Sequence, residues 1–218
     1  MTQGDLPMTD LDLSTLDRAT TVVIATGNAH KVGEITAILS PRLTDARFVA
    51  LGDLGSYPDP VEDGATFHDN ALIKARAALD ETGLTMAVAD DSGLCVDALG
   101  GAPGIFSARW AGEHGNDDAN NDKLLHEMAD VPEGERTARF HSSVVFVRRD
   151  EDGEEVISGE GDCPGSIGLA RRGSHGFGYD PLFVLDDRPG VTMAELDAGQ
   201  KNQISHRYRA LADLAAKL

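Results

Sequence analysis

Short apolar runs separated by polar, glycine-rich stretches set out the elements of the chain. Thr21–Ala25 (TVVIA) is brief and β-branched, as a buried strand should be. It leads through Thr26-Gly27-Asn28-Ala29-His30-Lys31 into a helical pattern over Lys31–Leu39, which Pro41 stops. A second strand is predicted at Arg47–Ala50, followed by a loop, Asp53–Gly64, rich in Gly, Pro and Asp. Thr66–Leu79 has helical spacing, with Phe67, Ala71, Ile73, Ala75, Ala78 and Leu79 apolar and Gly83 as its stop. Met86–Ala89 reads as a buried strand ending in Asp90-Asp91-Ser92-Gly93. Gly100–Gly104 reads as a constrained turn, and Asp117–Met128 as an amphipathic helix.

The character then changes. Arg139–Arg148 and Glu154–Gly159 are predicted to be antiparallel strands joined through Asp150–Gly153. Leu182–Leu185 adds a short strand. Ile204–Leu218 is a closing helix with Leu211, Leu214 and Leu218 on one face. Helix-rich stretches around a strand-rich middle predict an α/β fold with a mixed sheet and a cleft between two lobes.

Composition narrows the function classes. The chain has 218 residues, a formal net charge of −18, and 41% hydrophobic and 26% charged residues. These fractions suit a folded domain. The negative field opposes nonspecific binding to nucleic acid polymers or anionic membranes. No segment approaches the ~20 apolar residues of a membrane span. Residues 1–20 carry four Asp and one Arg and lack the basic and apolar regions of a signal peptide. They are expected to form a polar, mobile extension, leaving 21–218 as the functional domain. Cys95 and Cys163 show no CxxC pattern, so reduced thiols in a cytoplasmic protein are expected.

Four clusters can carry chemistry. Thr26–Lys31 combines a helix start, Asn28 and Lys31, a natural cradle for anionic oxygens. Glu62-Asp63 and Asp90-Asp91 supply carboxylates, with Ser92 alongside; carboxylates with open positions suit Mg²⁺. Lys74 lies on the helix after Glu62. Ser174–Pro181 places glycines around Phe177, freeing one ring face for stacking on a nucleobase. Lys201, Ser205, His206 and Arg207 place donors at a helix start, where cations oppose the helix dipole and something else must favour them.

Taken together, TGNAHKVGEI, EDGATFHDNALIKARAA, ADDSGLCVDALGGAPGIFSARWAG, GFGYDPLF and KNQISHR resemble the noncanonical purine NTP pyrophosphatase family, the inosine/xanthosine triphosphatase group, over residues 21–218. The resemblance implies an elongated mixed sheet with flanking helices, two lobes around a central cleft, and a homodimer. It implies hydrolysis of ITP, dITP and XTP to the monophosphate and pyrophosphate with Mg²⁺. By the same likeness Thr26, Gly27, Asn28 and Lys31 would bind phosphate, and Lys74 would stand near it. Glu62 and Asp91 would hold the metal, with Asp91 as general base and Ser92 beside it. Phe177, Gly178, Tyr179 and Asp180 would bind the base, and Lys201, His206 and Arg207 the nucleotide. Asp90 and a metal-held hydroxide remain alternatives for the base role.

Overall fold

The structure, a computed structural model, describes residues 11–26 and 28–218. Six strands form one mixed sheet: β1 (Thr21–Ile24), β2 (Arg47–Ala50), β3 (Met86–Val96), β4 (Thr137–Asp150), β5 (Gly153–Ile167) and β6 (Phe183–Leu185), in the order β2-β1-β3-β4-β5-β6. β1 pairs in parallel with β2 and β3, while the ladders from β3 to β6 are antiparallel. The helices are α1 (Ala29–Leu39), α2 (Phe67–Thr82), α3 (Asp117–Glu127), α4 (Ala198–Ile204) and α5 (His206–Lys217).

The sheet is long because β3, β4 and β5 run through both ends of the molecule. At one end α2 covers one face, with Ala71, Ala75 and Leu79 packed against Val23, Ala87, Ala89 and Val145. α1 and α5 cover the other face, where Ile35, Leu39, Leu211 and Leu214 meet Val22, Ile24, Met86 and Val88. At the far end Leu94, Val96, Phe140 and Phe183 form a separate apolar cluster with Leu124 and Met128.

Local signals account for several boundaries. Thr66 and Asp69 form a reciprocal capping box at the start of α2, and Gly83, with φ of 66°, ends it. Asp150 accepts the N–H groups of Asp152 and Gly153 and closes the β4–β5 hairpin. α5 lies directly on β5 because β5 has no side chain there. A Cβ on Gly161 would sit 2.3 Å from Ala210 N and His206 O, and one on Gly159 would sit 2.2 Å from Ala210 O. Gly161→Ala is therefore expected to lower stability by ~1–3 kcal/mol through overpacking, read as a lower urea midpoint at unchanged slope.

Three expectations are corrected. β3 does not end at Ala89: it continues through Asp90–Val96, because β4 pairs with every residue to Val96. The C-terminal helix starts at His206 rather than Ile204, because Ile204 ends a separate helix, α4; Ser205, with extended backbone, stands between them and its hydroxyl caps α5. Residues 11–20 are packed rather than mobile. Leu16 is buried in the same cluster as Leu54, Leu79 and Leu84. Leu11 N–H donates to Asp53 O at 2.9 Å, and Thr85 Oγ1 donates to Arg18 O at 2.6 Å. Asp12 and Asp17 face water, while Leu11, Leu13 and Leu16 turn inward. Residues 1–10 lie outside the described residues.

Candidate active site

β1 and β3 stay paired only to Ile24 and Val88, with Ala25 N–H donating to Val88 O as the last contact. From Leu94 onward the same edge of β3 is covered again: Leu94 N–H donates to Ser107 Oγ at 2.9 Å, and Val96 N–H to Ala102 O at 3.1 Å. Asp90, Asp91 and Ser92 occupy the gap. Successive strand residues point to opposite faces, so the two carboxylates part company here.

Asp90 turns to the α1/α5 face and is 2% exposed. Lys31 Nζ approaches its two oxygens at 3.0 and 2.7 Å, and Arg207 Nε donates at 3.1 Å. Arg207 also reaches Glu34 at 3.2 Å. Burial alone would raise the Asp90 pKa. The Lys31 and Arg207 charges outweigh it and hold the carboxyl well below the usual carboxylate range. In this structure Asp90 serves as the counter-ion of Lys31 and Arg207.

Asp91 turns to the α2 face. Lys74 Nζ lies 2.8 Å from Asp91 Oδ1 and 3.6 Å from Glu62 Oε1. Asn70 Nδ2 donates to Asp91 Oδ2 at 3.4 Å, and its own Oδ1 accepts Gly64 N–H at 2.9 Å. One helix-borne amide thus ties the Glu62 loop to the Asp91 carboxylate. Burial raises the Asp91 pKa above the ordinary value against the opposing pull of Lys74. Two carboxylates already share one cationic group here. That donor set fits a hard divalent ion with open positions. No cluster of three or more His, Cys, Asp or Glu side chains suited to a metal occurs among the described residues, so further ligands would come from substrate and water.

On the α1/α5 face a cavity of about 490 Å³ opens beside Asp90. Asn28, Lys31, Ser92, Phe177, Gly178, Tyr179, Asp180, Lys201, His206 and Arg207 all line it. Thr26 Oγ1 accepts Asn28 N–H at 3.2 Å, and Asn28 Oδ1 accepts Lys31 N–H at 3.4 Å, which shapes the start of α1. Gly27 lies outside the described residues. Glu62, Lys74 and Asp91 stand across the β3 gap from the cavity.

The Phe177 ring is 58% exposed in the cavity wall, with Lys201 Nζ 4.5 Å from its centroid. Lys201 also pairs with the buried Asp180, whose Oδ2 accepts Phe177 N–H at 2.9 Å. Tyr179 is buried and donates its hydroxyl to Ser107 O at 2.8 Å, so it anchors the turn.

The cations at the start of α5 are now accounted for. His206 is buried, stacked on Phe140 at 5.1 Å, and its pKa lies well below the usual histidine value because of burial and then of Arg207 and Lys201. It is neutral at pH 7, and its Nδ1 is buried without a hydrogen-bond partner. Arg207 is neutralised by Asp90 and Glu34. Lys201 belongs to α4, not to the first turn of α5.

Sequence reasoning missed the parts played by Glu34, Phe140, Asp117 and Asn121. Glu34 follows Lys31 by one helical turn, the single local hint; its partner Arg207 is 173 positions away. Asp117 and Asn121 sit on α3, where their polarity reads as a solvated helix face.

The sequence and the fold match a known group. The Ham1 family model matches residues 22–217. The dITP/XTP pyrophosphatase of Corynebacterium efficiens is 49% identical over 88% of this chain and 94% of its own length. That of Haemophilus influenzae is 48% identical over 90% of this chain and 98% of its own. Among solved structures, the Mycobacterium abscessus nucleoside-triphosphatase / dITP/XTP pyrophosphatase is 42% identical with a TM-score of 0.75, covering 91% of this chain and 98% of that one. A HAM1 protein from Coxiella burnetii is 38% identical with a TM-score of 0.80 over the same shares. The chain is a member of the Ham1 family.

Proposed function

We propose that this protein hydrolyses noncanonical purine nucleoside triphosphates, dITP, XTP and ITP, to the monophosphate and pyrophosphate. The observation that carries the reading is the layout of one cleft. An exposed aromatic ring and buried donors line a cavity on one side of the β3 gap, and a lysine-bridged pair of carboxylates stands on the other. A nucleotide laid across the gap puts its base on Phe177 and its phosphates near Lys31, Lys74 and the Thr26–Lys31 turn.

Glu62 and Asp91 would hold Mg²⁺, which when bound neutralises phosphate charge and orients the oxygens for in-line displacement. Lys74, bridging those carboxylates in this structure, is then free to turn to a phosphate oxygen. Asp91 orients a water and accepts its proton as the water oxygen bonds to the α-phosphorus. The α–β bridging bond breaks, and pyrophosphate leaves with the electron pair. Lys31 and Lys74 offset the charge that develops.

Base selection follows from hydrogen-bond polarity. Hypoxanthine and xanthine present a 6-oxo acceptor and adenine a 6-amino donor. Arg207 and the neutral His206 line the cavity and can donate to the oxo group. Against adenine, an N–H of His206 or a further N–H of Arg207 aimed at the oxo group would meet a donor instead, at ~1–3 kcal/mol for each donor left unsatisfied. Pyrophosphate release from dITP, XTP, ITP, GTP, ATP and dUTP, compared as kcat/KM with Mg²⁺ present, tests the proposal. Ratios of at least ~10² for dITP and XTP over ATP are expected. Equal ratios, or preference for dUTP, would overturn it. No helix among the described residues is long and apolar enough to cross a membrane. The functional unit is taken as a homodimer on the family likeness, which light scattering on the purified protein checks.

A further inference from the structure

The Phe177 ring has little packing to hold it, being more than half exposed, so its direction depends on the backbone beneath. That backbone is intrinsically free: Gly176 and Gly178 flank the ring with φ of 78° and 59°. Two side chains of α3 restrain it. Asp117 Oδ2 accepts Gly178 N–H at 2.6 Å, and Asn121 Nδ2 donates to Gly178 O at 2.8 Å. Asp117 and Asn121 are one helical turn apart and so share a face of α3. Between them they hold both polar groups of a single glycine. Asn121 is 2% exposed, and its amide also donates to Asp117 O at 2.7 Å, so the pair is tied together.

We infer that Asp117 and Asn121 are positioning residues for the nucleobase, pre-ordering the Phe177 platform before substrate arrives; this rests on Phe177 being that platform. Neither residue touches the phosphate end. Ordering the two glycines in the free protein removes an entropic penalty from base binding. Without the restraint, that penalty falls on the binding step and not on the chemistry.

The experiment compares Asn121→Leu, which keeps the bulk but removes the donor, with Asp117→Ala and the conservative Asp117→Asn, which retains an acceptor oxygen. KM for dITP should rise about tenfold in Asn121→Leu and Asp117→Ala while kcat stays within about twofold. Asp117→Asn should stay close to wild type. Inorganic tripolyphosphate, which carries the phosphate chain without a base, is expected to inhibit competitively with the same Ki in every variant. A general loosening of the fold would weaken tripolyphosphate as well, and that result would overturn the inference, as would an unchanged KM in both disruptive variants. Calorimetric titration with inosine monophosphate reads the same loss without turnover. A wild-type protein that binds the monophosphate but releases no pyrophosphate would count against the pyrophosphatase reading alone. A wild type that binds no monophosphate would overturn this inference too.

Discussion

Asp91→Asn should leave the protein folded and lower kcat at least ~10²-fold, the usual contribution of a positioned proton acceptor. The substitution is nearly isosteric. Lys74 keeps Glu62 within 3.6 Å, so one cation–carboxylate contact on that face survives. What disappears is a carboxylate that combines partial burial, a raised proton affinity and a place at the open edge of β3. The measurement is single-turnover pyrophosphate release from dITP beside a thermal melt of each protein. A variant with a near wild-type rate would remove Asp91 from both its roles. A variant that fails to melt cooperatively would show a structural role instead, and Asp91→Glu would then separate charge from fit.

The neighbouring residue should behave in the opposite way. Asp90→Asn is expected to lower stability by ~3–5 kcal/mol at pH 7, because it leaves Lys31 and Arg207 buried with only Glu34 as counter-charge. Urea unfolding measures this directly, and an unchanged midpoint would refute the counter-ion assignment. The pH dependence has a definite sign. Asp90 has a folded-state pKa below its unfolded value of ~3.9, so its stabilisation is complete above about pH 4. It fades as the pH falls from there toward the folded value. The gap between wild type and Asp90→Asn should therefore be largest near neutrality and shrink in acid.

Elements with a strong local signal were legible in the sequence. Arg47–Ala50 is a strand to the residue, and α2 starts and stops at its capping box and at Gly83. The fold class followed from the order of such elements. β3 escaped because Asp90, Asp91, Ser92 and Gly93 break an apolar run while the ladder with β4 carries on beneath them. Tertiary pairing, not residue preference, sets that length. In the same way the motifs drew attention to Lys31, Lys74, Asp91 and Arg207 one by one. They did not show that Asp90 and Asp91 face opposite ways, which depends on the strand continuing. The partners of Arg207 lie 117 and 173 positions away, and no local pattern reports contacts of that range.

The packed leader has a consequence of its own. The stretch shared with the family begins at residue 22, yet Leu16 fills part of the core and Arg18 O is bonded to the turn before β3. The stretch matched by the family model and the packed unit are thus not the same length. A protein cut at the homology boundary would open a groove beside Leu54 and Leu84, and the start of the Glu62 loop would lose its tie at Asp53. Removing residues 11–20 is therefore expected to lower the urea midpoint of unfolding although every residue matched by the family model is kept.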